Sequence, residues 1–139
     1  MARKTLALVI GATLLAGAAL AADPRPAALA HAPAGLWEIV GAPGGKAPRR
    51  ECVRDVSLLA QYEHRGHSCR RTIVSEQGNS AVIDYSCGDG GFGRSKVTAI
   101  TPRSLRIETQ GISDQLPFNY VLQARRVGEC PAEASAARH

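Results

Sequence analysis

Several chemical signatures are missing from this 139-residue chain. It has no Cys-x-x-Cys pair, and the spacings of its four cysteines, Cys52, Cys69, Cys87 and Cys130, match no common zinc site. It has no Gly-x-Ser-x-Gly, so the sharp turn that exposes a hydrolase serine is not encoded. The carboxylates on or near its strands, Asp84, Asp89, Glu108 and Asp114, are scattered, as surface acids usually are. Aromatics make up 4% of the chain and do not interleave the arginines (Arg49, Arg50, Arg65, Arg70, Arg71, Arg125, Arg126), which argues against a nucleic-acid surface. The formal charge is +5, falling to about +3 without Arg3 and Lys4. That mild excess reads first as solvated strand faces and second as a surface for an anionic envelope partner. We expect no catalytic residue, no cofactor and no metal ligand.

One stretch tempts the opposite conclusion. In "CGDGGFGRSK" (87–96), Gly88, Gly90 and Gly93 fit a dinucleotide fingerprint. Gly88, Gly93, Arg94 and Ser95 fit a phosphate loop with arginine in place of lysine. Both loops work by leading into a helix, whose free N–H groups hold the phosphate. Here Val97, Thr98, Ile100 and Thr101 follow, then Pro102, which predicts a strand and a turn. The stretch therefore reads as a flexible connection between two strands, its glycines permitting positive φ.

The beginning of the chain points to export. Arg3 and Lys4 precede an apolar run from Thr5 to Leu20, and Ala19-Leu20-Ala21 offers a signal-peptidase site. We expect residues 1–21 to be a signal peptide and the mature chain to be periplasmic or secreted, with no membrane span. Residues 22–33 are rich in Pro and Ala and read as a flexible lead-in to a single domain over 34–130, with a flexible tail at 131–139.

The domain reads as mainly β (α+β): a curved antiparallel meander of about six or seven strands with one short helix. In "GLWEIV" Trp37 and Ile39 alternate with Leu36, Glu38 and Val40, which predicts that Trp37, the one tryptophan, is buried. "PRRECV" returns as a second strand. "RDVSLLAQYE" (54–63) has Asp55 as a cap and Val56, Leu59, Ala60 and Glu63 at helical spacing. Period-two alternation then takes over, placing Ile73, Ile83, Tyr85, Leu105, Ile107, Phe118 and Tyr120 with Trp37 in the core.

An even cysteine set in a short exported chain reads as two disulfides. Folding "CRRTIVSE" onto "SAVIDYSC" about a three-residue loop, Gln77-Gly78-Asn79, sets Glu76 against Ser80, Ile73 against Ile83, Arg71 against Tyr85 and Cys69 against Cys87. That register favours Cys69–Cys87 with Cys52–Cys130. The competing arrangement, Cys52–Cys69 with Cys87–Cys130, stays open on sequence grounds. A last cluster, Glu63, His64, His67 and Cys69, carries donors for a soft or borderline metal ion. Its plainer reading is a pair of exposed histidines at a helix end with a disulfide cysteine nearby.

The "GLWEI" opening, the four-cysteine order, "DYSC" at 84–87 and "RRVGEC" at 125–130 resemble the small exported bacterial proteins catalogued as domain-of-unknown-function family 3617. The resemblance covers about residues 34–130. It departs in a shorter first hairpin and implies localisation and architecture rather than an activity. The expectation is an exported, non-catalytic envelope-binding or protective domain, its partner an envelope protein or a small apolar ligand. Two alternatives are a periplasmic inhibitor of a cell-wall hydrolase, with Phe92 as its anchoring side chain, and a small lipocalin-like carrier with an apolar pocket beneath the sheet.

Overall fold

The structure, a computed structural model, describes residues 25–45 and 47–132. The expected signal peptide and most of the expected tail lie outside these residues. Seven strands form one open antiparallel sheet: β1 (Gly35–Val40), β2 (Arg49–Val53), β3 (Cys69–Gln77), β4 (Ser80–Cys87), β5 (Phe92–Thr101), β6 (Ser104–Ser113) and β7 (Leu116–Gly128). Their spatial order is β2-β1-β7-β6-β5-β4-β3. Strands β3 to β7 make the meander that their alternation predicts. The first hairpin does not begin that meander but joins its last strand, Trp37 pairing with Arg126 and Ile39 with Ala124.

This order leaves β2 at one edge and β3 at the other. The chain spans the distance with a helical segment, Val56–His64, laid across the inner face of the sheet. Asp55 caps it, its carboxylate accepting from Ser57 N at 2.9 Å. The segment is 3-10 rather than α. Its buried apolar residues Val56, Leu59 and Tyr62 recur every third position, the spacing that a 3-10 helix stacks on one side. A kink at Gln61 (φ −114°, ψ 37°) turns the Gln61 amide inward. Its Nε2 donates to the carbonyls of His64 and His67, and its Oε1 accepts from Arg71 at 2.6 Å.

The core lies between this segment and the inner face. Trp37, Ile39, Ile83, Val97, Leu105, Ile107 and Leu122 are no more than 1% exposed. Each such side chain contributes ~1.5–3 kcal/mol by leaving water. Three expected core residues are only partly covered. Ile73 sits on edge strand β3 beside a bulge, and Phe118 lies near the open end of β7. Tyr120 packs against the core with its hydroxyl donating to Glu63 at 2.8 Å.

The lead-in is docked from Arg25 onward. Leu29 is fully buried on a 3-10 turn (Ala27–Leu29), and Ala32 is 4% exposed. Arg25 donates to the Leu29 and Ala32 carbonyls, and the Trp37 indole donates to Pro33 O at 3.2 Å. Lack of periodicity hid this segment: it supplies one leucine and backbone acceptors, not a patterned face.

The disulfides are Cys69–Cys87 and Cys52–Cys130, with Cα atoms 4.0 and 5.3 Å apart. Cys69 opposes Cys87, Arg71 opposes Tyr85 and Ile73 opposes Ile83. Nearer the turn the register slips by one, so that Gln77, not Glu76, meets Ser80. A bulge at Val74 absorbs the extra residue, and the hairpin closes on two residues with Gly78 at positive φ.

Candidate functional site

The two faces of the sheet have different fates. The inner face is filled by the helical crossover and the core. Among the described residues the outer face is uncovered, and at the end of the sheet away from β2 it carries an open groove of about 880 Å³. Two cross-strand rows build it. The first runs from β7 to β3 as Pro117, Ile112, Phe92, Ser86 and Arg70, each directly opposite the next. The second runs as Asn119, Gln110, Arg94, Asp84 and Thr72 in the same way. Both rows line the groove.

The rows differ in chemistry. The second is polar and already paired at its centre, where Arg94 grips Asp84 with two hydrogen bonds of 2.5 and 2.8 Å. The bond from Arg94 holds the Asp84 carboxyl below its ordinary range, although partial burial acts the other way. The first row is apolar at one end and cationic at the other. Phe92 is 51% exposed, unusual for so large an apolar ring. Arg70 is exposed and makes no ion pair among the described residues.

Glycines let the strands behind this groove pack closely. Gly93 and Gly111 oppose one another on β5 and β6. A Cβ on Gly93 would lie 2.6 Å from the Tyr85 hydroxyl, and one on Gly111 would lie 2.1 Å from Phe92 O. Gly91 is pressed against His64 in the same manner. "GDGGFG" is therefore a packed corner rather than a flexible connection, and among its glycines Gly90 alone has positive φ. The turn is closed by Cys87 N donating to Gly91 O at 2.8 Å and by Asp89 accepting from Gly91 N at 3.0 Å. That second bond, more than the nearby His67, keeps the Asp89 carboxyl below its ordinary range.

The phosphate-loop residues take other roles. Ser95 is fully buried and donates to Ala60 O, tying β5 to the helical crossover. Its hydroxyl is 2.8 Å from that of Thr109, and the Tyr85 hydroxyl is 3.2 Å from His64 Nδ1. Burial pushes the Tyr85 phenol up to about 12, the Thr109 hydroxyl acting in the opposite sense. Ser95, Thr109, Tyr85 and His64 are each no more than 3% exposed, so this polar chain fastens the interior and is closed to a ligand.

The histidine cluster divides. His64 is 2% exposed, not at an exposed helix end, because the helical segment lies flat on the sheet. It meets Tyr85 edge-on and Phe118 at 5.9 Å. His67 is exposed and pairs with Asp89 at 2.8 Å. Cys69 is held in its disulfide, and among the described residues no three His, Cys, Asp or Glu side chains form a metal-binding group. The four scattered acids also stay apart. Asp84 pairs with Arg94, Asp89 with His67 and Glu108 with Arg106, while Asp114 occupies the β6–β7 turn at φ 49°.

Sequence reasoning marked Phe92 but not the polar residues beside it. It missed their convergence, since five strands must be ordered before the rows exist. Comparison of the chain with protein-family models, curated proteins and solved structures finds no match in any of the three.

Proposed function

We propose that this chain is an exported, non-catalytic binding domain whose working surface is the outer groove. The observation that carries the reading is Phe92, a large aromatic ring left half exposed in a groove of about 880 Å³. That volume falls within the usual range for small-ligand sites of ~300–1,000 Å³. Two disulfides favour an oxidising compartment, and membership of the exported family named above belongs to the same reading. Among the described residues no helix is long and apolar enough to cross a membrane.

The groove is also the best support for the carrier alternative, but with the ligand on the open face. The space beneath the sheet, where a lipocalin-like pocket would lie, is occupied by Trp37, Leu105, Ile107, Leu122 and the helical crossover. A photoreactive phenylalanine analogue at Phe92 tests the proposal. Incubated with envelope extract, it should label a saturable component, and the same analogue at Arg65, on the opposite side, should not. Equal labelling from both positions, or none from Phe92, would overturn it.

A further inference from the structure

The first row of the groove has a direction, and that direction specifies a ligand. From β7 to β3 it passes through Pro117, Ile112 and Phe92, then Ser86, then Arg70. Four strand spacings of ~4.8 Å separate the ends, so the row is about 19 Å long. One end is apolar, the middle offers a hydroxyl, and the far end presents a guanidinium. Of the two cations that line the groove, Arg94 is neutralised by Asp84, while Arg70 pairs with no acid among the described residues.

We propose that the groove binds a single-chain anionic amphiphile, its apolar chain along Pro117, Ile112 and Phe92 and its carboxylate or phosphate head at Arg70. The inference rests on the outer groove being the working surface. Shape favours a chain over a compact apolar molecule, because the apolar contacts lie in a line across three strands. Charge favours an anion, because Arg70 closes the line and its fork suits two oxygens of a carboxylate or phosphate. The paired second row flanks the chain and adds no net charge of its own. A neutral amphiphile would gain the apolar contacts and leave Arg70 hydrated. An inorganic anion would gain Arg70 alone.

The test is an affinity series on the full mature protein, with each amphiphile below its micelle concentration. The probes are dodecanoate, dodecyl phosphate, dodecanol, acetate and inorganic phosphate. The two anionic amphiphiles should bind up to about fivefold tighter than dodecanol, the value of one exposed ion pair. Acetate and inorganic phosphate should show no saturable binding. Arg70→Gln should bring the anionic amphiphiles down to dodecanol while leaving dodecanol unchanged. Phe92→Ala should weaken all three chain ligands. Both positions are exposed, and unchanged Trp37 fluorescence verifies each variant's fold.

Equal binding of dodecanoate and dodecanol, an Arg70→Gln variant that keeps the preference, or no binding of any amphiphile would overturn the proposal. If amphiphiles fail while the photoreactive group at Phe92 still labels an envelope component, the ligand class is wrong and the working surface stands. If both fail, the binding-domain reading falls with it.

Discussion

The imidazole of His64 rests on the backbone of Gly91, so closely that a Cβ at Gly91 would lie 2.2 Å from Nε2. The contact joins the end of the helical crossover to the β4–β5 corner. It also explains glycines in that corner without a phosphate. The neighbouring Gly88 has nothing within 4 Å of a built Cβ and no positive φ.

Gly91→Ala should therefore destabilise the protein by ~1–3 kcal/mol through overpacking, while Gly88→Ala should change stability by less than ~0.5 kcal/mol. Urea denaturation of the two variants makes the comparison. Equal effects would mean that the corner is not packed as described.

A second prediction concerns the lead-in. Leu29 is fully buried, whereas Val74, an apolar residue on the edge strand, is 48% exposed. Leu29→Ala should cost ~2–5 kcal/mol and Val74→Ala less than ~0.5 kcal/mol. A thermal melt of Leu29→Ala coincident with that of the unaltered protein would show the segment undocked.

The disulfides predict a simple peptide map. Digestion without reduction should release fragments linking Cys52 to Cys130 and Cys69 to Cys87. The sequence separations are 78 and 18, so the chain-entropy account assigns about 4.5 and about 3 kcal/mol to the two bridges. The doubly substituted Cys52→Ala/Cys130→Ala chain should melt below its Cys69→Ala/Cys87→Ala counterpart. A fragment joining Cys52 to Cys69 would contradict the fold itself.

All three tyrosines of the chain are shifted in one direction. Burial, helped by Glu51, pushes Tyr62 up to about 12. Burial pushes Tyr85 up to about 12. Burial and the bond to Glu63 carry Tyr120 upward as well. A phenol raised in the folded state keeps its proton while the unfolded chain releases it from about pH 10. The unfolded state then holds fewer protons, so stability falls as pH rises from about 10 through about 12. Native protein should give no phenolate absorbance step near pH 10, and urea-unfolded protein should give all of it. A native step at the ordinary value would show the phenols exposed.

How much of this was legible in the sequence follows from the range of each interaction. Period-two alternation carried Trp37 and Ile39 inward, and the sense of Leu105 and Ile107, because face is a local property of a strand. The register at Cys69 and Cys87 was also legible, since a short hairpin leaves few choices. The one-residue bulge at Val74 was not, because bulge and turn compensate each other and leave the cysteines facing either way. The docking of β1 onto β7 was invisible, as it joins residues nearly ninety positions apart with no local sign. His64 reads as exposed in the sequence because nothing local shows that its segment end is pressed onto Gly91 and Tyr85. The groove depends on the order of five strands, and no single segment contains it.

The central claim is that ligand enters on the outer face, along the line from Pro117 to Arg70. Backbone amide NMR during a dodecanoate titration tests it most directly. The account predicts saturable shifts at Arg70, Ser86, Phe92, Gly111 and Ile112, with the amides of Trp37, Leu59 and Ala60 unmoved. Shifts centred on the helical crossover and the inner face, or no saturable shifts at all, would contradict it.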